Sequence, residues 1–418
     1  MTTLAKEVKL LGAERRLILL LALIQFTHVM DFMILMPLGP KLMRLFEISP
    51  QKFSLLVSGY TISAGLSSFL GSFWLDRVGR RSALIWLYLG FLISTVGCFV
   101  VEGFFQLGLA RVFAGFFGGQ IGTLILMIVG DAVTHERRAR ATGMVMAGFS
   151  LAAVFGVPFG LLLADHFTWN APFGFLSLIS FVVWLGIIKE VPELKSHLAS
   201  KLRFSVTASL KALGTLLVES NTRSALTIMV LMMLGQFMII PFLGPSLVFN
   251  AGLQERYVPF VYLCGGGVTV FTSPIVGRWA DKVGRHRVFR LMALASIAPI
   301  LAITHLPESP TWLILLVTTA FFVIVNGRMV PFLAILTSAV DPVRRGSFLS
   351  LNSSLQQIGA GVASLLAGLI VQKAESGRLL HFGVSGLVAS TVSVAAFFLI
   401  SKVSAVLVHQ RPVLNKSE

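Results

Sequence analysis

The sequence SFWLDRVGRR at residues 72–81 returns in altered form as GRWADKVGRH at residues 277–286. Counted from 72 to 277, the offset between the two copies is 205 positions. A second pair of stretches, DFMILMPLGP from Asp31 and QFMIIPFLGP from Gln236, has the same offset. Because two independent pairs share one offset, close to half of the 418 residues, we interpret the chain as two related halves in tandem.

Each half consists largely of apolar runs. The chain is 56% hydrophobic and 12% charged, with a mean hydropathy of +0.86. Soluble globular proteins carry about 25% charged residues, so this composition excludes a soluble protein. Runs of roughly 20 apolar residues, the length that a helix needs to cross a bilayer, recur along the whole chain. They predict an all-α integral membrane protein with about twelve transmembrane helices in two pseudo-symmetric six-helix halves, at residues 17–40, 53–74, 82–101, 104–130, 141–164, 171–189, 224–248, 257–280, 287–305, 311–339, 348–372 and 382–408.

The same runs divide the chain. We predict an N-terminal six-helix half at residues 1–189, a cytoplasmic linker at 190–223 and a C-terminal six-helix half at 224–418. Within the linker, FSVTASLKALGTLLV is compatible with an amphipathic helix that lies on the inner membrane surface. Six spans that repeat in the same topology are typical of transporters.

The basic residues indicate orientation and not a nucleic-acid partner. The net charge is +16, but Lys and Arg are spread over short loops between the apolar runs and do not gather in one domain. The most basic loops alternate with less basic loops that contain acidic residues. By the positive-inside rule the basic loops face the cytoplasm, so we expect a multi-pass protein of the cytoplasmic (inner) membrane with both termini inside.

Asp31 is the one acidic residue near the middle of a predicted span. An ionisable group at this depth costs at least ~2.5 kcal/mol, so it normally lines a cavity and serves function. We predict that Asp31 binds and releases a proton as its access alternates between the two sides of the membrane. Its counterpart Gln236 cannot titrate, which places the proton site in the first half. His28 lies on the same helix face and could bond to Asp31 or share its proton, and a packing role is the alternative.

Residues 72–81 resemble the signature of the major facilitator superfamily, Gly-x-Leu-x-Asp-Arg-x-Gly-Arg-Arg, which lies between spans two and three. Ser72 stands for the first glycine and Trp74 for the leucine, and the resemblance extends over essentially the whole chain. It implies the fold of that superfamily and a cytoplasmic latch, made by the matching Asp when the outside is open. For the basic residues, a role only in topology is the alternative, and we expect Gly79 to permit a tight turn. The implied gating residues are Asp76, Arg77, Gly79, Arg80 and Arg81, with Asp281, Lys282, Gly284 and Arg285 in the second copy.

A second motif, GVPFG at residues 156–160, resembles the glycine–proline motif of exporters in the drug:proton antiporter branch, with Val157 between its glycine and proline. Pro158 removes a backbone donor and is expected to bend its helix. Gly156 and Gly160 permit close helix packing. A packing kink is the alternative to a role in export.

Arg111 and Arg328 are the other charges predicted inside spans. Arg111 begins RVFAGFFGG, which resembles the family's Arg-x-x-Gln-Gly element with Ala114 at the Gln position. By residue count, Asp31 lies about 21 Å from the inner end of span one and Arg111 about 10 Å from the outer end of span four, which agree in a ~30 Å core. Because these two spans are neighbours in the resembled superfamily, we predict an Asp31–Arg111 pair that protonation of Asp31 would weaken.

Other polar residues inside spans are candidates for a substrate cavity. Asn352 and Gln356 share one face of span eleven, and hydrogen bonding between helices is the alternative for them. Arg328 has no obvious acidic partner, so it either attracts an anion or bonds to backbone carbonyls. The predicted cavity residues are Gln236, Arg328, Asn326, Asn352 and Gln356.

The function predicted from these residues and the resemblance is secondary active transport, by proton-coupled efflux of a small organic solute or drug through alternating access. Proton-coupled uptake, or uncoupled facilitated diffusion of a neutral or anionic solute, is the alternative. The sequence has no P-loop for ATP, no HExxH and no nucleophile–base set, so we expect neither an enzyme nor a metal site. No cofactor is expected besides the proton gradient. The expected partners are the solute, protons and the lipid bilayer, and the resemblance implies a monomer.

Overall fold

The computed structural model describes residues 12–194, 214–341 and 344–404, apart from the side chains at positions 72, 76, 135, 345 and 346. A π-helix lies at Ala152–Gly156, short 3₁₀ helices lie at Leu75–Arg77, Glu255–Tyr257 and Ile400–Lys402, and a helical segment covers 214–218. The α-helices are α1 Gly12–Ile34, α2 Gly39–Leu45, α3 Pro50–Trp74, α4 Arg80–Val100, α5 Phe104–Ala132, α6 His135–Leu151, α7 Val157–His166, α8 Ala171–Glu190, α9 Ser220–Phe237, α10 Ile240–Phe249, α11 Val258–Val283, α12 Arg285–Ala295, α13 Ile297–Thr304, α14 Thr311–Gly327, α15 Met329–Ser338, α16 Arg345–Ile370 and α17 Phe382–Leu399.

Twelve segments within the described residues are long and apolar enough to cross a membrane, which confirms the predicted all-α membrane fold. Each has 20 to 31 residues, sufficient for a ~30 Å hydrocarbon core at a rise of about 1.5 Å per residue. Numbered in chain order, spans 1 to 12 are Gly12–Ile34, Pro50–Gly71, Arg80–Val100, Phe104–Ala132, Glu136–His166, Ala171–Glu190, Ser220–Phe249, Glu255–Val283, Arg285–Thr304, Thr311–Ser338, Ser347–Ile370 and Phe382–Lys402.

The predicted linker at 190–223 lies largely outside the described residues, which stop at 194 and resume at 214. Its amphipathic helix and the domain limits that depend on it therefore stay predictions. The last span was predicted to continue to residue 408. Its helical part ends at Lys402, and residues 405–418 lie outside the description.

Prolines interrupt several spans. In span 10, α14 ends at Gly327 and α15 begins two residues before Pro331. A proline inside a helix removes a donor and collides with the carbonyl four residues earlier, whereas in the first turn of a new helix the missing donor costs little. Span 1, predicted to extend to residue 40, stops at Ile34 because Pro37 and Pro40 follow. Breaks of the same kind precede Pro158 in span 5, Pro241 in span 7 and Pro299 in span 9.

A two-stranded antiparallel ribbon follows span 11. Gln372–Lys373 pairs with Leu379–Leu380, so that Gln372, predicted as the last residue of the span, lies in a strand. Gly377, with a φ of 85°, lies in the turn between the strands, in a conformation that side chains disfavour. Asn250 fixes the ribbon to the end of α10, because its side chain donates to the Leu379 carbonyl and accepts from the Leu379 amide, both at 2.8 Å.

Two pairs of spans bring the halves into contact. Between spans 2 and 11, the Ser354 hydroxyl donates to the Gly65 carbonyl at 2.8 Å. Between spans 5 and 8, a Cβ added to Gly266 would lie 3.3 Å from Cγ2 of Val154. Small residues at these positions allow the helices of the two halves to pack closely.

The repeated sequence LGP, at 38–40 and at 243–245, also joins the halves, at the end of span 1 opposite Gly12. A Cβ on Gly39 would lie 2.8 Å from Cγ of Pro245. Nearby, Nη1 of Arg44 pairs with Oε1 of Glu255 at 2.6 Å. The two copies of the repeat are therefore in direct contact at this end of the molecule.

Candidate functional site

Asp31 and Arg111 form an ion pair, as predicted from their depths. Nη1 of Arg111 donates to Oδ2 of Asp31 at 2.9 Å. The Asp31 side chain is 0% exposed and the Arg111 side chain 1%. The pair joins span 1 to span 4, and because both charges are buried, removal of either would leave the other uncompensated.

Aromatic rings from two further spans surround the guanidinium group of Arg111. Its Cζ lies 4.4 Å from the centroid of the Tyr60 ring in span 2 and 5.9 Å from that of Phe173 in span 6. Ring faces attract cations, so these contacts help to hold Arg111 in place. On the other side of the pair, Oδ1 of Asp31 is buried without a hydrogen-bond partner among the described residues. One carboxylate oxygen thus bonds to Arg111 while the other can accept a hydrogen bond or a proton.

His28 does not bond to Asp31 directly. Both of its ring nitrogens are buried and have no partner within the part of the chain that the structure describes. Its ring packs edge-on against Phe91, with centroids 6.1 Å apart. Contact with Phe91 fits the packing alternative, whereas two unpartnered nitrogens do not, since buried polar atoms normally have partners.

The structure does not unite the predicted cavity residues in one network. No hydrogen bond joins any two of Gln236, Arg328, Asn326, Asn352 and Gln356, all of which are described. Nδ2 of Asn326 donates to the Phe322 carbonyl of its own helix at 2.9 Å. The Asn352 side chain is buried, and its Oδ1 has no partner among the described residues. Asn352 is thus the member of the set whose unpartnered acceptor is buried, and substrate binding by all five stays a prediction.

Arg328 lies inside the C-terminal half, where it is 2% exposed. Its Nη1 donates to the Ser296 hydroxyl at 3.2 Å and to the Ser393 hydroxyl at 2.7 Å. Arg328 and Ser296 both lie at helix breaks, of span 10 and span 9, while Ser393 belongs to span 12. No carboxylate pairs with Arg328 within the described residues. This geometry favours a structural role, although the partners are serine hydroxyls and not the predicted backbone carbonyls.

Ser393→Ala is expected to lower the free energy of unfolding by about 1.5–3 kcal/mol, because a hydrogen bond to a charged group contributes that much. Ser390→Ala is the matched control, since Ser390 is buried in the same helix and its hydroxyl has no partner among the described residues. Thermal denaturation of the two purified variants and the wild type in detergent measures the loss of stability in each. Equal losses in the two variants would contradict a structural role for the Arg328–Ser393 bond.

Two arginines of the signature loop, at the start of span 3, bond to spans 4 and 6. Nε of Arg80 donates to Oδ2 of Asp131 at the end of span 4 at 3.1 Å, and Nη1 donates to the Leu75 carbonyl at 2.9 Å. Nη2 of Arg81 donates to the Ile188 carbonyl of span 6 at 2.5 Å. Arg80 is buried, so it does more than fix topology. The side chain of Asp76 lies outside the description, and the latch assigned to it stays a prediction.

The second copy of the loop is more exposed. Nη2 of Arg285 pairs with Oδ1 of Asp281 at 3.2 Å, and the Asp281 side chain is 67% exposed. Such pairs contribute about 0–1 kcal/mol. Gly284 has a φ of 104°, which favours glycine, whereas Gly79 has a φ of −57° that any residue adopts. The backbone conformation therefore does not require glycine at Gly79, where the tight turn was predicted, but favours it at Gly284. Arg77 and Lys282 are exposed.

The GVPFG motif packs against the helix that carries Asp31. A Cβ on Gly156 would lie 3.0 Å from Sδ of Met30, and one on Gly160 would lie 2.8 Å from Cδ1 of Ile34. The π-helix at Ala152–Gly156 interrupts the regular helix just before Pro158. The motif thus lets spans 1 and 5 approach closely, which is the packing role that the sequence left open.

Sequence reasoning missed four residues that the structure brings to these sites. Tyr60, Ser296 and Ser393 carry no signal, because lone hydroxyl residues are common in apolar spans. Asp131 carries a weak signal, as an acid at the end of span 4 beside a basic loop.

Comparison with known proteins bears on the fold and the family. A family model described as Major Facilitator Superfamily matches residues 21–360, and matches again at residues 225–415. The chain belongs to the major facilitator superfamily. The second match begins with the second half of the chain, in agreement with the internal repeat. The protein is therefore a multi-pass membrane transporter and not an enzyme.

Individual relatives in the superfamily are distant. The uncharacterized MFS-type transporter YceJ of Bacillus subtilis is 26% identical over 380 residues, which cover 90% of this chain and 92% of YceJ. A probable sugar efflux transporter of Pasteurella multocida is 22% identical over 359 residues, covering 85% of this chain and 84% of that protein. Among solved structures, a D-xylose–proton symporter superposes with a TM-score of 0.76 at 16% identity, over 94% of this chain and 98% of the symporter. At that identity the likeness shows a common fold only.

Proposed function

We propose that this transporter exports a small organic solute in exchange for protons, and that Asp31 binds the coupled proton. The observation that carries the proposal is the buried Asp31–Arg111 pair in a membrane span, with Oδ1 of Asp31 free of any partner among the described residues. Protonation of Asp31 removes its negative charge and with it the charge–charge attraction in the pair. In a low-dielectric interior that change is large enough to shift the balance between conformations.

Arg111 holds the carboxylate in position, and His28 lies one helical turn away. With Asp31 ionised, the pair is neutral, and spans 1 and 4 are held together. With Asp31 protonated, Arg111 keeps its charge and its contacts with the Tyr60 and Phe173 rings. A conformational equilibrium that differs between these two states couples proton binding to alternating access.

For the solute we propose a neutral or anionic organic molecule, such as a sugar. Among the described residues, the interior of the spans holds one acid, Asp31, which is paired, and two arginines, Arg111 and Arg328, so it does not favour a cation. The similarity to the Pasteurella multocida protein, a probable sugar efflux transporter, supports a sugar and the outward direction. We propose that solute contacts come from Asn352, Gln356, Gln236 and Asn326.

We further propose that the signature loops face the cytoplasm of the inner membrane, with both termini inside and the protein acting as a monomer. The positive-inside rule supports this orientation, because Arg77, Arg80 and Arg81 share one loop. In that orientation the LGP contacts lie on the outer side. Opening to the outside then requires separation of Gly39 from Pro245 and of Arg44 from Glu255.

Purified protein in proteoliposomes tests coupling and direction together. Methyl glucoside, cholate and ethidium serve as neutral, anionic and cationic probes. An exchanger is expected to accumulate its solute when the vesicle interior is acidic, whereas a symporter accumulates it when the exterior is acidic. Transport that responds to neither gradient would overturn proton coupling, and ethidium as the transported probe would overturn the proposed solute class.

A further inference from the structure

Several buried polar atoms beside the Asp31–Arg111 pair have no hydrogen-bond partner among the described residues. They are Oε1 of Gln25, both ring nitrogens of His28, Oδ1 of Asp31 and the hydroxyl of Tyr60. Each unpartnered buried group costs about 1–3 kcal/mol. Proteins normally satisfy such groups, and they use ordered water where no protein group is in reach. Five such atoms around one ion pair indicate a site built to hold water.

These side chains follow a curved line along span 1. Gln25, His28 and Asp31 are spaced at three-residue intervals on α1, so each step turns by about 60° around the helix and rises about 4.5 Å along its axis. Neighbours in this series are within reach of one another. Tyr60 is fixed beside them, because its ring packs 5.3 Å from that of Phe32 and lies under the Arg111 guanidinium. The line runs from the ion pair toward the Gly12 end of span 1.

Gly118 of span 4 lets His28 and Tyr60 pack close to its backbone. A Cβ at this position would lie 2.9 Å from the Tyr60 hydroxyl and 3.3 Å from Nε2 of His28. Both unpartnered atoms therefore face the same space in front of the Gly118 backbone. A methyl group there would occupy that space and press on both side chains.

We propose that Gln25, His28 and Tyr60 hold a file of water molecules, beside Gly118, that carries the proton between Asp31 and Gln25, on the Gly12 side of the ion pair. This inference rests on the proposed role of Asp31. When Asp31 takes up the proton, an O–H bond forms at Oδ1 and an O–H bond breaks in the adjacent hydronium ion, which becomes water. Release reverses the step. Gln25, His28 and Tyr60 are positioning residues. They order the water molecules and do not change their own protonation state.

A pH jump on the purified full-length protein in detergent tests this without any solute. The infrared band of the protonated carboxyl group reports arrival of the proton, and Asp31→Asn assigns the band by removing it. Positioned proton-transfer groups contribute about 10²–10⁴ in rate, so Gly118→Ala is expected to slow the appearance of this band at least about tenfold. Gly122→Ala is the matched control, since it lies one turn on in the same helix with nothing within 4 Å of its added Cβ, and it should keep the wild-type rate.

Further variants separate the ordering of water from other roles. His28→Phe is expected to slow the appearance of the band as Gly118→Ala does. His28→Gln keeps polar atoms at this position, so the band should appear at the wild-type rate. Tyr60→Phe removes the hydroxyl and retains the ring over Arg111. In this variant the band should also appear slowly. A wild-type rate in Gly118→Ala would overturn the water file and leave the role of Asp31 intact, and a slow His28→Gln would overturn the positioning role of His28. A band that does not depend on Asp31 would overturn the proposed function itself.

Discussion

Asp31→Asn is expected to abolish solute accumulation driven by a pH gradient while downhill exchange of the same solute continues. The amide keeps the size of the carboxylate and an oxygen that accepts from Arg111, but it cannot bind and release a proton. With one proton per solute, about two pH units can drive up to about 100-fold accumulation, and the variant should reach a ratio of about one. Radiolabelled methyl glucoside or cholate in proteoliposomes, whichever the wild type transports, measures the ratio.

Glu308→Gln provides the control for loss of a carboxylate. Glu308 is exposed and pairs with Arg378, outside both signature loops. This variant should accumulate solute as the wild type does. If Asp31→Asn accumulated as much solute as Glu308→Gln, the coupled proton would bind elsewhere.

Arg111→Met is expected to lower the free energy of unfolding by about 3–5 kcal/mol. Removal of one partner from a buried ion pair leaves the other charge uncompensated, and here the stranded carboxylate of Asp31 would be fully buried. Methionine approximates the volume of the arginine stem, so the loss reports the charge more than the packing. Thermal denaturation in detergent, followed by size-exclusion chromatography, measures the effect.

The double variant Arg111→Met, Asp31→Asn removes both charges and should recover much of that stability. Neutral replacement of a whole buried pair is often tolerated, in contrast to removal of one partner. Arg285→Met, at an exposed pair, should change stability by no more than about 1 kcal/mol. A double variant as unstable as Arg111→Met alone would mean that the loss arises from packing and not from the ion pair.

The sequence was sufficient for the architecture and for the ion pair. Membrane spans can be recognised in a sequence from the length and hydropathy of their apolar runs, because the bilayer imposes both. Asp31 and Arg111 could be paired from their depths together with the neighbouring spans that the resemblance implies, since few charges lie inside spans. The helix breaks were foreseeable at Pro158 and missed at Pro37, where the apolar run continues through the proline.

The residues that contact the buried charges could not be predicted from the sequence in the same way. The contacts of Tyr60 with Arg111 and of Ser393 with Arg328 depend on how neighbouring helices are rotated, which hydropathy does not record. Gly118 looked like one of several glycines in span 4. Only the packed structure shows that it faces His28 and Tyr60 while Gly122 faces no other atom within 4 Å. The ribbon after span 11 was missed because two-residue strands leave no periodic pattern.

Counting the protons exchanged when solute binds would show whether Asp31 is the group that titrates. The purified protein in weakly buffered detergent solution is mixed with the transported probe, methyl glucoside or cholate, and the change in pH is recorded. Because solute and proton are linked through one equilibrium, wild type should release about one proton per molecule, and Asp31→Asn should release none. The same release from both proteins would contradict the assignment of the coupled proton to Asp31.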